Sequence, residues 1–479
     1  MLGGALTLWA LPLAAPGVVV LGALAAALVA KPSAALAVFT WALPFHIVAM
    51  AALFGSLGLP AALVRSIAAW KEVLVALLLV AVMVRTLSGR GADSGITWLD
   101  WLVGAFWFVS LAYLLGAAPW LRSDRPVSAQ AYGFRDAVFF TLLYSVGRTT
   151  PDVADDETSL RRFYLVGVVT SIIAVFELLL VPPQALVALG ASSYFQDFLG
   201  VGAFTASNQF GLPDNYWTMI GGQLIRRAGS TYLSSQGFAI PFLIIVPAAT
   251  LWILNCAHRR RALTWLGYAL IWTGLLLTVT RMTIAACALE TILIIVLLRR
   301  WHAAVSFGAI AVSVVVVALL AVPGLAGFVW DTITWRTSSS ATHLQDWTRG
   351  LGAAIAHPLG SGLGATDQTA VRFGLAALTA DNQYLKYMVE LGVLGLVLHL
   401  ATLLGVATAG LRVFRKASVS TGRNYGGLVF ATTLGIAVNA MTAVVFNSIM
   451  LSYTYFWVAG TVVSHSLRLR AEPLAPRPA

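Results

Sequence analysis

The sequence predicts an all-α polytopic integral membrane protein with about 12–14 transmembrane helices and two long extracytoplasmic loops, on three observations. The chain of 479 residues is 59% hydrophobic and only 10% charged, with a mean hydropathy of +0.85. Its apolar stretches are long enough to cross the ~30 Å hydrocarbon core of a bilayer. Basic clusters recur at the ends of alternate stretches, as expected if Lys and Arg mark the cytoplasmic side.

Apolar segments fall near 6–30, 34–56, 67–85, 98–117, 134–148, 160–182, 236–256, 262–280, 282–298, 303–328, 384–411, 426–444 and 450–467. The first has no basic residues before its apolar run and no small-x-small cleavage site, which predicts a retained span. Arg85/Arg90, Arg161/Arg162, "HRRR" at 258–261, "RRWH" at 299–302, "RVFRK" at 412–416 and "RLR" at 468–470 take cytoplasmic positions in this alternation. The resulting organisation is N-terminal transmembrane helices (1–182), a first large extracytoplasmic loop (183–235), central transmembrane helices (236–328), a second large extracytoplasmic loop (329–383), and C-terminal transmembrane helices with a short tail (384–479). Cys256 and Cys287 lie far apart at or within predicted helices, so they form neither a disulfide framework nor a metal-ligand spacing and read as packing residues. No soluble domain, internal repeat or heptad array interrupts the pattern.

Charge points to an anionic ligand outside. By this topology Arg65, Lys71, Arg122, Arg125, Arg135, Arg226, Arg227, Arg281, Arg336, Arg349, Arg372 and Lys386 face outward, against the positive-inside bias. Any one of them can snorkel to lipid phosphate or pair with a carboxylate. Arg281 fits that reading least, because it occupies a tight turn between apolar helices with no acidic neighbour in sequence.

Three stretches carry a family likeness: "IRRAGSTYLSSQGFA" (225–239), "LTVTRMTIAA" (277–286), and "HLQDWTRGLGAAIAHPLGSGLG" (343–364) followed by "DNQYLKYMVELGVLG" (381–395). Their order and spacing resemble the bacterial O-antigen ligase and polymerase superfamily (WaaL- and Wzy-like proteins). The family pattern falls here on Arg227 and Gly229, on Arg281, on Pro358/Gly360/Gly362/Gly364, and on Asp381/Asn382/Gly392/Gly395. The resemblance implies a GT-C-like glycosyltransferase of the bacterial inner membrane, with its active site on the periplasmic side. Such an enzyme moves a glycan from an undecaprenyl-pyrophosphate-linked oligosaccharide to an acceptor hydroxyl, which belongs to a second lipid-linked repeat in polymerases and to lipid A-core in ligases. It uses no nucleotide sugar, metal or other cofactor. Membrane lipid, a flippase and a chain-length regulator are its implied partners, and nucleic acid is not among them.

Physical chemistry assigns roles within that frame. Departure of a lipid pyrophosphate develops negative charge, which arginine forks stabilise while keeping their own protons. Arg227 and Arg281 are the candidates, with Arg336 a further phosphate or glycan contact. Asp381 stands where a polar loop meets an apolar helix, and partial desolvation there raises a carboxylate pKa toward that of a useful general base. Asn382 would orient Asp381 or the sugar, with Tyr384 beside them. The competing reading makes Asp381 the N-cap of a helix starting near Gln383. Many ligases carry His at the position of Asp381, whereas exopolysaccharide polymerases often resemble Asp-Asn, which favours a polymerase. His343 is a substitute base or glycan contact, or else a hydrogen-bonded structural residue. The loop aromatics Tyr194, Phe195, Phe198, Phe204, Phe210, Tyr216 and Trp217 read as an interfacial belt or as sugar-stacking groups. Glu177 and Glu290 are costly within spans and are candidates for a lipid path. A transporter or flippase for lipid-linked glycans is the alternative of a different class, which the absence of paired halves disfavours.

Overall fold

The computed structural model describes residues 26–28, 30–88, 95–200, 210–255, 261–378 and 381–471. The expected first span therefore lies almost wholly outside the described residues, as do Phe204 and Cys256. The rest is helical apart from one hairpin. Apart from short helices at Pro183–Ala188, Ala191–Ser193 and Ser235–Ala239, the α-helices in chain order are α1 (Ser33–Ala51), α2 (Ala61–Ala68), α3 (Trp70–Leu87), α4 (Trp98–Leu114), α5 (Val127–Val138), α6 (Leu142–Thr149), α7 (Thr158–Leu180), α8 (Phe242–Asn255), α9 (Arg261–Leu277), α10 (Arg281–Leu297), α11 (Trp301–Ala321), α12 (Leu325–Ile333), α13 (Ser338–Ala356), α14 (Asp367–Arg372), α15 (Gln383–Lys416), α16 (Ser420–Asn439) and α17 (Ile449–Ala471). Among the described residues, six helical stretches are both long and apolar enough to cross a bilayer: Ser33–Ser56, Ala61–Leu87, Thr158–Leu180, Ser235–Asn255, Trp301–Ala321 and Gln383–Lys416. The remaining expected spans coincide with helices that fall short on length or hydropathy, such as α4 and α9. The protein is an all-α polytopic membrane protein.

The bundle is built around Ser235–Asn255, whose most apolar window is 83% buried, while α11 at the periphery is 0% buried. A helix that is apolar all round suits both places, one facing protein and the other lipid. Close approach sets the packing of α6 on α17: a Cβ at Gly147 would strike the Trp457 carbonyl, and one at Gly460 the Tyr144 carbonyl. Small residues allow this backbone contact, the usual way helices associate where no hydrophobic force separates protein from solvent. On the side opposite the long loops, Arg148 forks onto Asp100 (2.9 and 3.1 Å) and reaches Ser464 (2.7 Å), tying α4, α6 and α17. Thr97 and Asp100 form a reciprocal capping box at the start of α4.

The two long loops share one face, called here the loop face. The first contains, besides short helices and coil, an antiparallel hairpin, β1 (Trp217–Ile220) with β2 (Gln223–Arg226), pairing Trp217 with Arg226. Gly221 and Gly222 at its turn have φ of 59° and 78°, which glycine adopts without steric cost. Tyr194, Phe198 and Tyr216 are buried in a satellite core with Met50, Val64 and Leu233. Those three are therefore neither a membrane belt nor open sugar platforms.

The glycine motifs of the second loop interlock. Gly392 holds φ 68° and ψ −170° inside α15, breaking the helical ladder there. The carbonyls this releases are taken up by the Pro358–Gly364 turn: Ser361 N–H donates to Val389 (2.7 Å) and Gly362 N–H to Glu390 (3.2 Å), while Val393 N–H donates to Pro358 (3.0 Å). A broken helix survives at membrane depth only when its freed groups are satisfied in this way. A Cβ on Gly392 would lie 2.6 Å from the Pro358 oxygen. Gly392→Ala should therefore destabilise the protein by at least about 1–3 kcal/mol, because that backbone region is essentially reserved for glycine. A fall in thermal stability of detergent-purified protein checks this, with Gly308→Ala, at an open site on α11, as the neutral control.

Candidate active site

Glu177, at the last turn of α7, organises the first loop. Its Oε1 accepts from Arg226 Nη2 (2.9 Å), and its Oε2 accepts from the backbone N–H of Gly229 (3.1 Å) and Ser230 (2.5 Å). Tyr216 lies flat against Gly229, where any Cβ would overlap its ring. Glu177 is thus a structural anchor rather than part of a lipid path. Glu290 is likewise enclosed, fully buried in α10 against Gly435 of α16.

Anchoring Arg226 turns Arg227 the other way. The Arg227 N–H donates to the Tyr216 carbonyl (2.7 Å), and the Ala228 N–H to that of Leu277 (3.0 Å), docking the loop on the turn before α10. The Arg227 guanidinium donates from Nε to the Thr278 carbonyl (2.6 Å) and from Nη2 to the Thr280 hydroxyl (2.8 Å). Arg281 follows directly, donating to the Thr332 hydroxyl (2.6 Å) and standing 5.2 Å from the centre of the Phe328 ring. The two arginines therefore converge. Burial, and then the like charge of Arg281, lower the Arg227 pKa to about 10, which still leaves it charged at neutral pH. Among the described residues no carboxylate forms an ion pair with either guanidinium, whereas Arg226 has Glu177. Two adjacent cations held by neutral oxygens are an arrangement that an anion stabilises.

The second loop brings two titratable groups alongside. His343 and Asp346 occupy one face of α13, which starts at an N-cap where Thr337 accepts from Ser340 N–H. His343 Nδ1 lies 3.8 Å from Asp381 Oδ2, within ion-pair reach but too far for a hydrogen bond. Burial and the nearby Arg281 charge lower the His343 pKa, with Asp346 opposing. Asp381 moves the other way. Crowding by protein, reinforced by the negative charges of Asp367 and Asp346, lifts its carboxyl to about 7. Its side chain nevertheless keeps 40% of its accessible surface, so solvent screens part of that push. Asp367 is itself buried, its carboxylate accepting from Asn447.

Asp381 is not the helix cap. That role falls to Asn382, whose Oδ1 accepts from the N–H groups of Tyr384 (2.9 Å) and Leu385 (3.0 Å) while its Nδ2 donates to Met441 (2.9 Å). Asn382 is therefore spent on the helix start instead of orienting Asp381. The Tyr384 hydroxyl donates to the Ala437 carbonyl (2.6 Å), fixing α15 against α16. Arg336 is exposed on the turn before α13, with no described bond joining its side chain to the Arg227–Arg281 pair. Sequence reasoning singled out Lys386 as an outward-facing cation but missed its partner Glu390; the two form a fully buried ion pair (3.3 Å) that shares the Thr366 hydroxyl and braces the broken start of α15. Their i,i+4 spacing at the mouth of an apolar helix was the available signal.

Residues 266–400 match the family model Wzy_C, described as O-antigen ligase. The matched stretch includes Arg281, His343 and Asp381, with the interlocked glycine turns between α13 and α15; Arg227 lies before it. No curated protein gives a significant match to the chain.

Proposed function

From the premise of an O-antigen ligase domain at residues 266–400, which supports assignment to the O-antigen ligase and polymerase superfamily, we propose that this protein polymerises a polysaccharide on the outer face of the bacterial inner membrane. It transfers a glycan from undecaprenyl pyrophosphate to a hydroxyl of a second lipid-linked repeat. The observation that supports this reading is that His343 lies close both to Arg281, one of two adjacent arginines with no carboxylate partner among the described residues, and to Asp381, 3.8 Å away, a carboxylate of raised pKa.

The acceptor hydroxyl attacks the anomeric carbon of the donor sugar and gives its proton to the Asp381 carboxylate. The bond from that carbon to the pyrophosphate oxygen breaks, and its electron pair stays on the pyrophosphate. Arg227 and Arg281 hold the developing charge from fixed positions, so little reorganisation is needed as it forms.

A base with a pKa near 7 gives the rate a defined pH dependence. The kcat/KM for transfer should rise through about pH 7 and level off above it, since only the ionised carboxylate accepts the proton. Assays between about pH 5.5 and 8.5 check this, and a flat profile would remove Asp381 from the proton transfer.

The family description, O-antigen ligase, favours a second reading in which the acceptor is lipid A-core. Gene deletion separates the two. Lost polymer with normal lipopolysaccharide capping supports the polymerase, whereas intact lipid-linked polymer with uncapped lipid A-core supports the ligase.

A further inference from the structure

We propose that Trp335, Trp347 and Asp346 form a subsite for the sugar ring attached directly to the donor's pyrophosphate. This rests on the lipid-pyrophosphate reading above and names which residues hold the carbohydrate end of that donor. Trp335 sits in the chain between Thr332 and Thr337, both of which face the Arg281 guanidinium (2.6 and 3.5 Å), so the segment that carries it passes beside the candidate phosphate site. Its ring centre is 5.5 Å from that of Trp347 at 67°, and Trp335 remains 46% exposed. The pair is an aromatic corner with one surface open.

Polar atoms in the corner lack partners. The Trp347 indole nitrogen is buried and unbonded, and so is Nδ1 of His343, one helical turn earlier on the same face of α13. A buried indole N–H normally finds an acceptor, and among the described residues none supplies one. Asp346, on the same turn and 7% exposed, has its Oδ1 only 3.4 Å from Arg349, a long contact for a charged pair. A pyranose meets all three needs: an apolar C–H face for the indole, hydroxyl oxygens to accept from Trp347, and hydroxyl protons for the Asp346 carboxylate. His343 feels the charge of Arg281 and stands 3.8 Å from Asp381. A ring beside it is near both an arginine of the leaving-group site and the base, which is where the donor sugar belongs.

The test compares two probes on the full-length protein in nanodiscs: undecaprenyl pyrophosphate, and undecaprenyl pyrophosphate carrying one N-acetylhexosamine. Wild type should bind the glycosylated lipid about 3- to 10-fold more tightly, the scale of an aromatic contact. Trp335→Ala should abolish that difference while leaving the bare lipid's affinity unchanged, which also shows that the variant is folded. Trp347→Phe, which keeps a ring but removes the N–H, should reduce the difference without eliminating it. Equal binding of both lipids by wild type would overturn the subsite. So would a Trp335→Ala variant that weakens both lipids alike, since Trp335 would then be an interfacial anchor, or one that leaves the difference intact. Failure of wild type to bind either lipid would instead overturn the lipid-pyrophosphate reading on which the subsite depends.

Discussion

Asp381→Asn should give a folded, membrane-inserted protein that transfers glycan at least about 10²-fold more slowly, the scale of losing a general base. The helix start does not depend on Asp381, because Asn382 supplies the cap through Tyr384 and Leu385. The substitution removes a proton acceptor without removing a structural bond, so yield and thermal stability serve as controls. Asp381→Glu should keep partial turnover, its carboxylate being displaced by one methylene. The neighbouring imidazole gives the alternative a definite test. If Asp381→Asn retained near-normal polymer, the base would be His343, whose Nδ1 lies 3.8 Å from the Asp381 carboxylate. His343→Gln would then carry the large loss.

Arg281→Ala and Arg227→Ala should each nearly abolish transfer, with losses of about 10²–10³-fold, comparable to removing one preorganised donor from a site of developing charge. Arg281 is tied to the rest of the protein by the Thr332 and Thr337 hydroxyls and the Phe328 ring, so its removal leaves no buried charge unpaired. Arg227 has a structural side, since its guanidinium joins the first loop to the turn before α10; the melting temperature of Arg227→Ala must be measured beside its activity. Lysine at either position should rescue only in part, because an ammonium cannot present two parallel N–H groups to phosphate. Arg226→Ala makes a contrasting variant. It strips Glu177 of its cation and should lower stability more than it alters chemistry in the protein that remains folded.

The fold class was legible because lipid imposes a simple rule: a span must be apolar, helical and about 20 residues long. The neighbours Arg227 and Arg281 could be picked out because their motifs occupy the same expected side of the membrane, although sequence alone could not show that Thr278 and Thr280 join them. Assignment of the cap failed by one residue. Asp and Asn cap helices about equally well, so "DNQ" does not reveal which side chain turns back to the amides. The hairpin at 217–226 was hidden in a loop whose apolar residues lack a clear alternation. The glycine turns at Gly360–Gly364 and Gly392 were visible separately, but their interlock is a contact between distant backbone atoms that no local pattern encodes. Asp346 and Trp347 shared a helical face with His343 in the sequence, and only the position of that face near Asp381 and Arg281 gave them significance.

The central claim is most directly tested by reconstituting the purified protein in liposomes with an undecaprenyl-pyrophosphate-linked oligosaccharide and following products by mass spectrometry. The account predicts longer lipid-linked glycans with free undecaprenyl pyrophosphate released in equal number to the new glycosidic bonds, and neither product from Asp381→Asn or Arg281→Ala. Movement of intact lipid-linked oligosaccharide across the bilayer, with no new glycosidic bond from wild type, would contradict it and make the protein a transporter.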